Sequence, residues 1–101
     1  MQEFSVVLSV YSKDKPIFFK EAVESLIAQS YPPAEIVITV DGPVDKKLNA
    51  EINKISQIPI VKIYRLKTNS GLCVARKKAI ELISYKIFAV MDSDDIALPS
   101  R

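Results

Sequence analysis

Apolar residues along this chain fall into short blocks whose period switches repeatedly between that of a strand and that of a helix. Residues 4–10 (Phe-Ser-Val-Val-Leu-Ser-Val) are apolar and β-branched and predict a first strand. Tyr11 to Pro16 interrupts the run, and Pro16 suits the first turn of a helix. Phe18, Ala22 and Leu26, flanked by Phe19, Val23 and Ile27, recur at helical spacing and predict a helix over 17–29. Tyr31-Pro32-Pro33 stops it. Residues 36–40 (Ile-Val-Ile-Thr-Val) predict a second, buried strand ending at Asp41-Gly42-Pro43. Val44, Leu48, Ile52 and Ile55 are spaced for a second amphipathic helix.

Residues 60–66 predict a third strand. Here Val61 and Ile63 alternate with Lys62 and Tyr64, the pattern of a sheet edge. Asn69-Ser70-Gly71 turns the chain, and Leu72, Ala75, Ala79 and Leu82 predict a third helix with Ser70 as its N-cap. The last block, Ile87-Phe88-Ala89-Val90-Met91, reads as a buried fourth strand. It runs straight into Asp92-Ser93-Asp94-Asp95.

The resulting order, β-α-β-α-β-α-β without internal repeat, predicts a parallel sheet with right-handed crossovers. Such sheets bind ligands at the carboxyl ends of their strands, near the point where strand order reverses. Tyr11, Asp41, Asn69 and Asp92 all fall at those ends. The expected sheet order is 3-2-1-4, with Tyr11 and Asp92 on adjacent strand ends.

Composition narrows the chemistry. The 101 residues are 49% hydrophobic and 26% charged with a net charge of +2, which fits one soluble domain, or part of one, and implies no strong nucleic-acid or membrane field and no nucleic-acid partner. No apolar run reaches the length of a membrane span, and Met1-Gln2-Glu3 leads directly into a strand, so no signal peptide is expected. The single cysteine excludes an internal disulfide and fits a reducing compartment. Cys73 itself reads as a small packed residue. With no histidine, Ser-His-Asp and Cys-His nucleophile chemistry is excluded within this chain.

Two glycines cannot form a G-x-G-x-x-G dinucleotide loop, and no P-loop is present. The acidic cluster is the strongest chemical signal. Three carboxylates within four positions repel one another, and no Lys or Arg lies between Lys86 and Arg101 to relieve them. A divalent cation fits such hard oxygen donors. The plainer alternative is a polar turn in which Asp94 or Asp95 caps a following helix. Asp41 has its own plain reading in an Asp-Gly turn. Tyr11 can stack on a base, and Arg76 can reach an anionic ligand from the first turns of its helix.

The residues also carry a resemblance. Ser9-Val10-Tyr11, then Glu24 to Pro32, Ile36 to Asp41, Asn69-Ser70-Gly71-Leu72 with Ala75-Arg76, and Ala89 to Ile96 with Leu98-Pro99 resemble, in order, the family 2 glycosyltransferases. Asp41-Gly42-Pro43 and the Met before Asp92 look most like the branch that builds bacterial exopolysaccharides, the amylovoran-type transferases. The resemblance implies a three-layer, Rossmann-like GT-A half-domain. On it, residues 1–101 form the nucleotide-sugar-binding N-terminal part of a longer catalytic domain. It implies inverting transfer of a sugar from a nucleotide-diphosphate donor to a saccharide or lipid-linked acceptor. Tyr11, Asp41, Arg76 and Asp92 would contact the nucleotide. Asp94, with Asp92 and Asp95, would hold Mn²⁺ or Mg²⁺. The catalytic base is expected beyond Arg101, so the chain alone should be inactive. A cytoplasmic location, with the inner face of the membrane as an option, goes with this reading.

Two rivals remain at this point: a non-catalytic remnant that binds a nucleotide or a partner, and a Mg²⁺-dependent receiver-type phosphotransfer domain. The second wants an acidic pair after strand one, where Tyr11-Ser12 stands. A homodimer through an exposed strand-four edge is also expected, since that strand carries no charge within it.

Overall fold

The computed structural model describes residues 3–92. Its elements follow in the expected order: β1 (Ser5–Tyr11), α1 (Pro16–Ile27), β2 (Glu35–Asp41), α2 (Lys46–Ile55), β3 (Val61–Leu66), α3 (Leu72–Glu81) and β4 (Phe88–Asp92). The four strands form one parallel sheet of order β3-β2-β1-β4, as the alternation of elements required. Registers place Tyr11 beside Asp41, and Ser9 beside Asp92. The ends of β1 and β4 are therefore neighbours, with Asp92 two residues below the level of Tyr11.

Side chains of a strand alternate between faces, and the two faces here bury different things. Val6, Leu8 and Val10 of β1 and Ile36, Ile38 and Val40 of β2 meet Phe19, Val23 and Leu26 of α1 and Leu48 and Ile52 of α2. Val7 and Val37 on the opposite face meet Ala79 of α3, with Ile83 packed beside them. The sheet is thus sandwiched between α1 with α2 on one side and α3 on the other, a three-layer arrangement.

Several local expectations are corrected. The apolar stripe predicted for α1 included Phe18 and Ile27, but both are exposed; Phe19, Ala22, Val23 and Leu26 form the buried face. A 12-residue helix laid on a sheet buries one narrow stripe, and a broad apolar face overfills it. The helix also stops at Ile27, where Ala28 takes the C-cap. Val44 precedes α2. The helix begins at Lys46 because Asp45 is its N-cap, accepting the Leu48 N–H at 2.8 Å.

Ser70 does not cap α3. Gly71 occupies the N-cap, and the Ser70 hydroxyl donates to the Thr68 carbonyl at 3.1 Å. Cys73 is exposed rather than packed, because Ala75 and Ala79 take the sheet-facing positions of α3. The fourth strand is not a buried one either. Met91 alone is buried in β4, and Phe88 and Val90 are exposed. Its place at the sheet edge explains this: α3 packs across β1 and β2 and leaves the same face of β4 open. β3, expected at an edge, lies at the other one.

At the amino ends of the strands a buried carboxylate ties the layers together. Glu35 accepts from the Ser5 hydroxyl at 2.7 Å and from the Ser84 N–H, and pairs with the Lys62 ammonium at 2.8 Å. Burial works against the charged form. The bonds from Lys62, Ser84 and Ser5 outweigh it and hold the Glu35 carboxyl below its ordinary value. Nothing in the local sequence announces this cluster, whose members come from four separate segments.

Candidate functional site

At the carboxyl ends of the strands a cavity of about 260 Å³ opens between β1, β2 and the turn before α3. Ser9, Val10, Tyr11, Asp41, Asn69, Gly71 and Leu72 line it. Two strand ends and one helix start converge there, beside the β1–β4 boundary at which the strand order 3-2-1-4 reverses direction.

Tyr11 ends β1 with its ring exposed at the cavity. The backbone around it is fixed by a tight turn: the Tyr11 N–H donates to Asp14 Oδ2 at 3.0 Å, and the Asp14 N–H donates to the Tyr11 carbonyl at 3.0 Å. Asp41 ends β2 and is only 5% exposed. Its two oxygens accept from consecutive backbone amides, Oδ1 from Ser70 at 2.7 Å and Oδ2 from Gly71 at 3.0 Å. A carboxylate oxygen has a further lone pair, so these bonds leave acceptor capacity toward the cavity.

The chain's two glycines are both used at this junction. Gly42 has φ of 89° and Gly71 of 96°, in the region that favours glycine. A Cβ on Gly42 would stand 2.6 Å from the Asn69 backbone nitrogen, so only glycine lets the two turns touch.

A second device sets the helix. The Thr39 hydroxyl donates to the Ala75 carbonyl at 3.1 Å and lies 2.8 Å from the Ser9 hydroxyl. These small hydroxyls, placed inside two strands on the α3 face, dock the first half of α3 on the sheet. One turn along α3, Arg76 Nη2 donates to Asp92 Oδ1 at 2.5 Å. Arg76 is thereby held over the end of β4, with both side chains open to solvent.

Of the residues predicted for nucleotide contact, Tyr11 and Asp41 share the cavity, and Arg76 and Asp92 form an ion pair on the strand-end side of the sheet. The expected metal ligands Asp94 and Asp95 lie outside the described residues. Among the described residues no group of three or more acidic, His or Cys side chains could hold a metal. Asp92, a carboxylate more than half exposed at a strand end, is the donor that fits a hard divalent cation.

Sequence reasoning missed the Ser9–Thr39 pair and the grip of Asp41 on the 69–71 turn. One signal was available for the latter: the only glycines of the chain sit next to Asp41 and at the end of Asn69-Ser70-Gly71.

A parallel sheet of this order, with a cavity and an acidic strand end at its carboxyl edge, is a Rossmann-like scaffold with a crevice where such sheets take ligands. Residues 5–101 match the glycosyl transferase family 2 model, and the chain belongs to that family. It is 38% identical over 98 residues to the amylovoran biosynthesis glycosyltransferase AmsE of Erwinia amylovora, covering 97% of this chain and 37% of that protein. It is 32% identical over 99 residues to UDP-Gal:alpha-D-GlcNAc-diphosphoundecaprenol beta-1,3-galactosyltransferase of Escherichia coli, covering 98% of this chain and 36% of that one. The chain thus spans little more than a third of the length of these curated relatives.

Among solved structures it superposes on S. aureus TarS 1-349 in complex with UDP with a TM-score of 0.81 at 27% identity, covering 97% of this chain and 29% of that one. The mannosyltransferase PcManGT of Pyrobaculum calidifontis, solved with GDP-Man and Mn²⁺, matches with a TM-score of 0.80 at 14% identity, over 94% of this chain and 28% of that one, and shares the fold. The expected GT-A architecture is present. No helix of the described residues is long and apolar enough to cross a membrane.

Proposed function

We propose that residues 1–101 form the donor- and metal-binding N-terminal part of an inverting glycosyltransferase of bacterial polysaccharide or glycan synthesis. The donor is a nucleotide-diphosphate sugar and the acceptor a saccharide or a lipid-linked one. The observation that carries this reading is the cavity in which Tyr11, Asp41 and Asn69 converge at the carboxyl ends of β1 and β2. Relatives in polysaccharide and lipid-linked sugar transfer, and a UDP-bound structure of the same fold, support it.

In this reading the Tyr11 ring stacks on the base from the cavity wall. The remaining lone pairs of Asp41 accept from the nucleoside, while its bonds to Ser70 and Gly71 hold the turn that closes the cavity. Arg76, aimed by Asp92, offers a fixed guanidinium to the anionic side of the donor. Asp94, with Asp92 and Asp95, holds Mn²⁺ or Mg²⁺. Such an ion supplies Lewis-acid stabilisation of a leaving diphosphate. No residue of the chain is assigned as the base that deprotonates the acceptor, so the chain by itself transfers no sugar. Two copies pair through the β4 edge, where Phe88 and Val90 are exposed.

Calorimetric titration with UDP, GDP and CDP, each with and without Mn²⁺, tests the proposal. At least one nucleotide should bind, more tightly with metal, and Asp94→Ala should remove the metal's effect. Absence of binding to every nucleotide in the presence of Mn²⁺ would refute it in favour of a partner-binding remnant.

A further inference from the structure

The turn between β1 and α1 presents a combination of groups that neither the core nor the cavity uses. Ile17 and Phe18, in the first turn of α1, are 55% and 46% exposed, while the helix buries Phe19, Ala22, Val23 and Leu26. Lys13, Lys15 and Lys20 surround them and are all exposed. The Lys15 ammonium lies 5.7 Å from the centre of the Phe18 ring, so charge and apolar surface form one patch.

The nearby acidic residues, Asp14, Glu21 and the exposed Glu24, all lie outside the first turn of α1. Asp14 is turned back into the β1–α1 turn, where its carboxylate accepts the Tyr11 N–H at 3.0 Å. Glu21 is half-buried one turn further along the helix. Lys13 and Lys15, on either side of Asp14, are exposed. The patch lies within nine residues of Tyr11, at the carboxyl-end edge of the sheet.

Exposed aliphatic and aromatic side chains ringed by lysines match one surface in both respects: the interface of an anionic bilayer. Its headgroups attract the ammonium groups, its acyl boundary accepts Ile17 and Phe18, and lysine stems reach from one to the other. We infer that the first turn of α1 and the turn before it are a docking surface for an anionic phospholipid membrane. Docked this way, the chain places the rim of its cavity beside the bilayer. The inference stands apart from the donor reading, because vesicle binding is read without any nucleotide.

Co-sedimentation of the chain with phosphatidylcholine vesicles, and with vesicles containing about 30 mol% phosphatidylglycerol, provides the test. Binding should require the anionic lipid and fall as salt is raised from about 0.1 M to about 1 M. Replacing Lys13, Lys15 and Lys20 together by Gln should weaken it by about 100-fold, at roughly five-fold per lysine near a charged leaflet. Phe18→Ser should weaken it by about ten-fold, the size expected for withdrawing part of one aromatic side chain from the acyl boundary.

The triple Gln variant of Lys46, Lys47 and Lys54 removes the same charge from the neighbouring helix α2, outside the patch, and should bind as the parent does. Circular dichroism melts establish that each variant is folded. The inference is overturned if the parent does not bind, if neutral vesicles serve equally well, or if the α2 variant loses as much as the α1 variant. It is equally overturned if Phe18→Ser changes only self-association in light scattering.

Discussion

Replacing Asp41 tests the junction on which the site depends. The Asp41 carboxylate accepts two backbone N–H groups, from Ser70 at 2.7 Å and Gly71 at 3.0 Å, and is nearly excluded from solvent. A hydrogen bond to a charged group contributes about 1.5–3 kcal/mol. Two such bonds set an upper bound of about 3–6 kcal/mol for Asp41→Ala. Ser70 and Gly71 lie in an exposed turn, so water can reach the freed amides and the expected loss is about 2–3 kcal/mol.

Asp41→Asn keeps one acceptor oxygen but turns an NH₂ group toward the second amide, so about 1.5 kcal/mol should be lost. For a domain of this size the Ala variant should melt about 10 °C or more below the parent. Gly42→Ala attacks the same contact from the other side. It forces a side chain into positive φ at about 1–2 kcal/mol and drives a Cβ against Asn69. Because both changes release one turn, the double variant should lose clearly less than the sum. Urea denaturation followed by circular dichroism gives these values. If Asp41→Asn is within about 0.5 kcal/mol of the parent, or the double variant is additive, the clamp is not what orders the turn.

Other perturbations separate stability from binding. The Glu35 carboxyl is held below its usual value, so its contribution to stability is present above the ordinary carboxylate range and is lost as pH falls through the depressed folded value. Glu35→Gln should therefore destabilise at neutral pH and flatten the acid limb of the stability profile; an unchanged limb would show that the cluster does not titrate in this way. Arg76→Ala breaks a solvent-exposed ion pair, so stability should change by less than about 1 kcal/mol. Its nucleotide-diphosphate affinity should fall at least about ten-fold, and equal affinity by calorimetry would remove Arg76 from the site. Val90→Lys places a charge on the β4 edge and should convert a dimer to a monomer in light scattering; a dimer indifferent to it pairs elsewhere.

The sequence by itself determined the element order and, through it, the topology. Strand runs around Val7, Val37, Ile63 and Val90 are separated by helical spacing at Phe19, Leu48 and Ala75, and parallel strands joined by right-handed crossovers leave few alternatives. It also pointed to the cavity at the strand ends, because residues that close parallel strands gather wherever such a sheet is formed. Tyr11, Asp41 and Asp92 were legible as strand ends for that reason, and Arg76 from its place in the first turns of α3.

Tertiary structure decided what each of these residues touches. Whether Asp41 serves a ligand or a turn depends on a neighbour 29 positions away, and no local pattern encodes that distance. The same holds for Glu35 with Ser84 and for Thr39 with Ala75. Burial, too, was settled only by neighbours. An apolar run such as Ile87 to Met91 reads the same at the centre of a sheet as at its edge. Only the path of α3 over β1 and β2 left Phe88 and Val90 uncovered. Local periodicity fixes which way a side chain points, but what stands opposite it is a property of the whole chain.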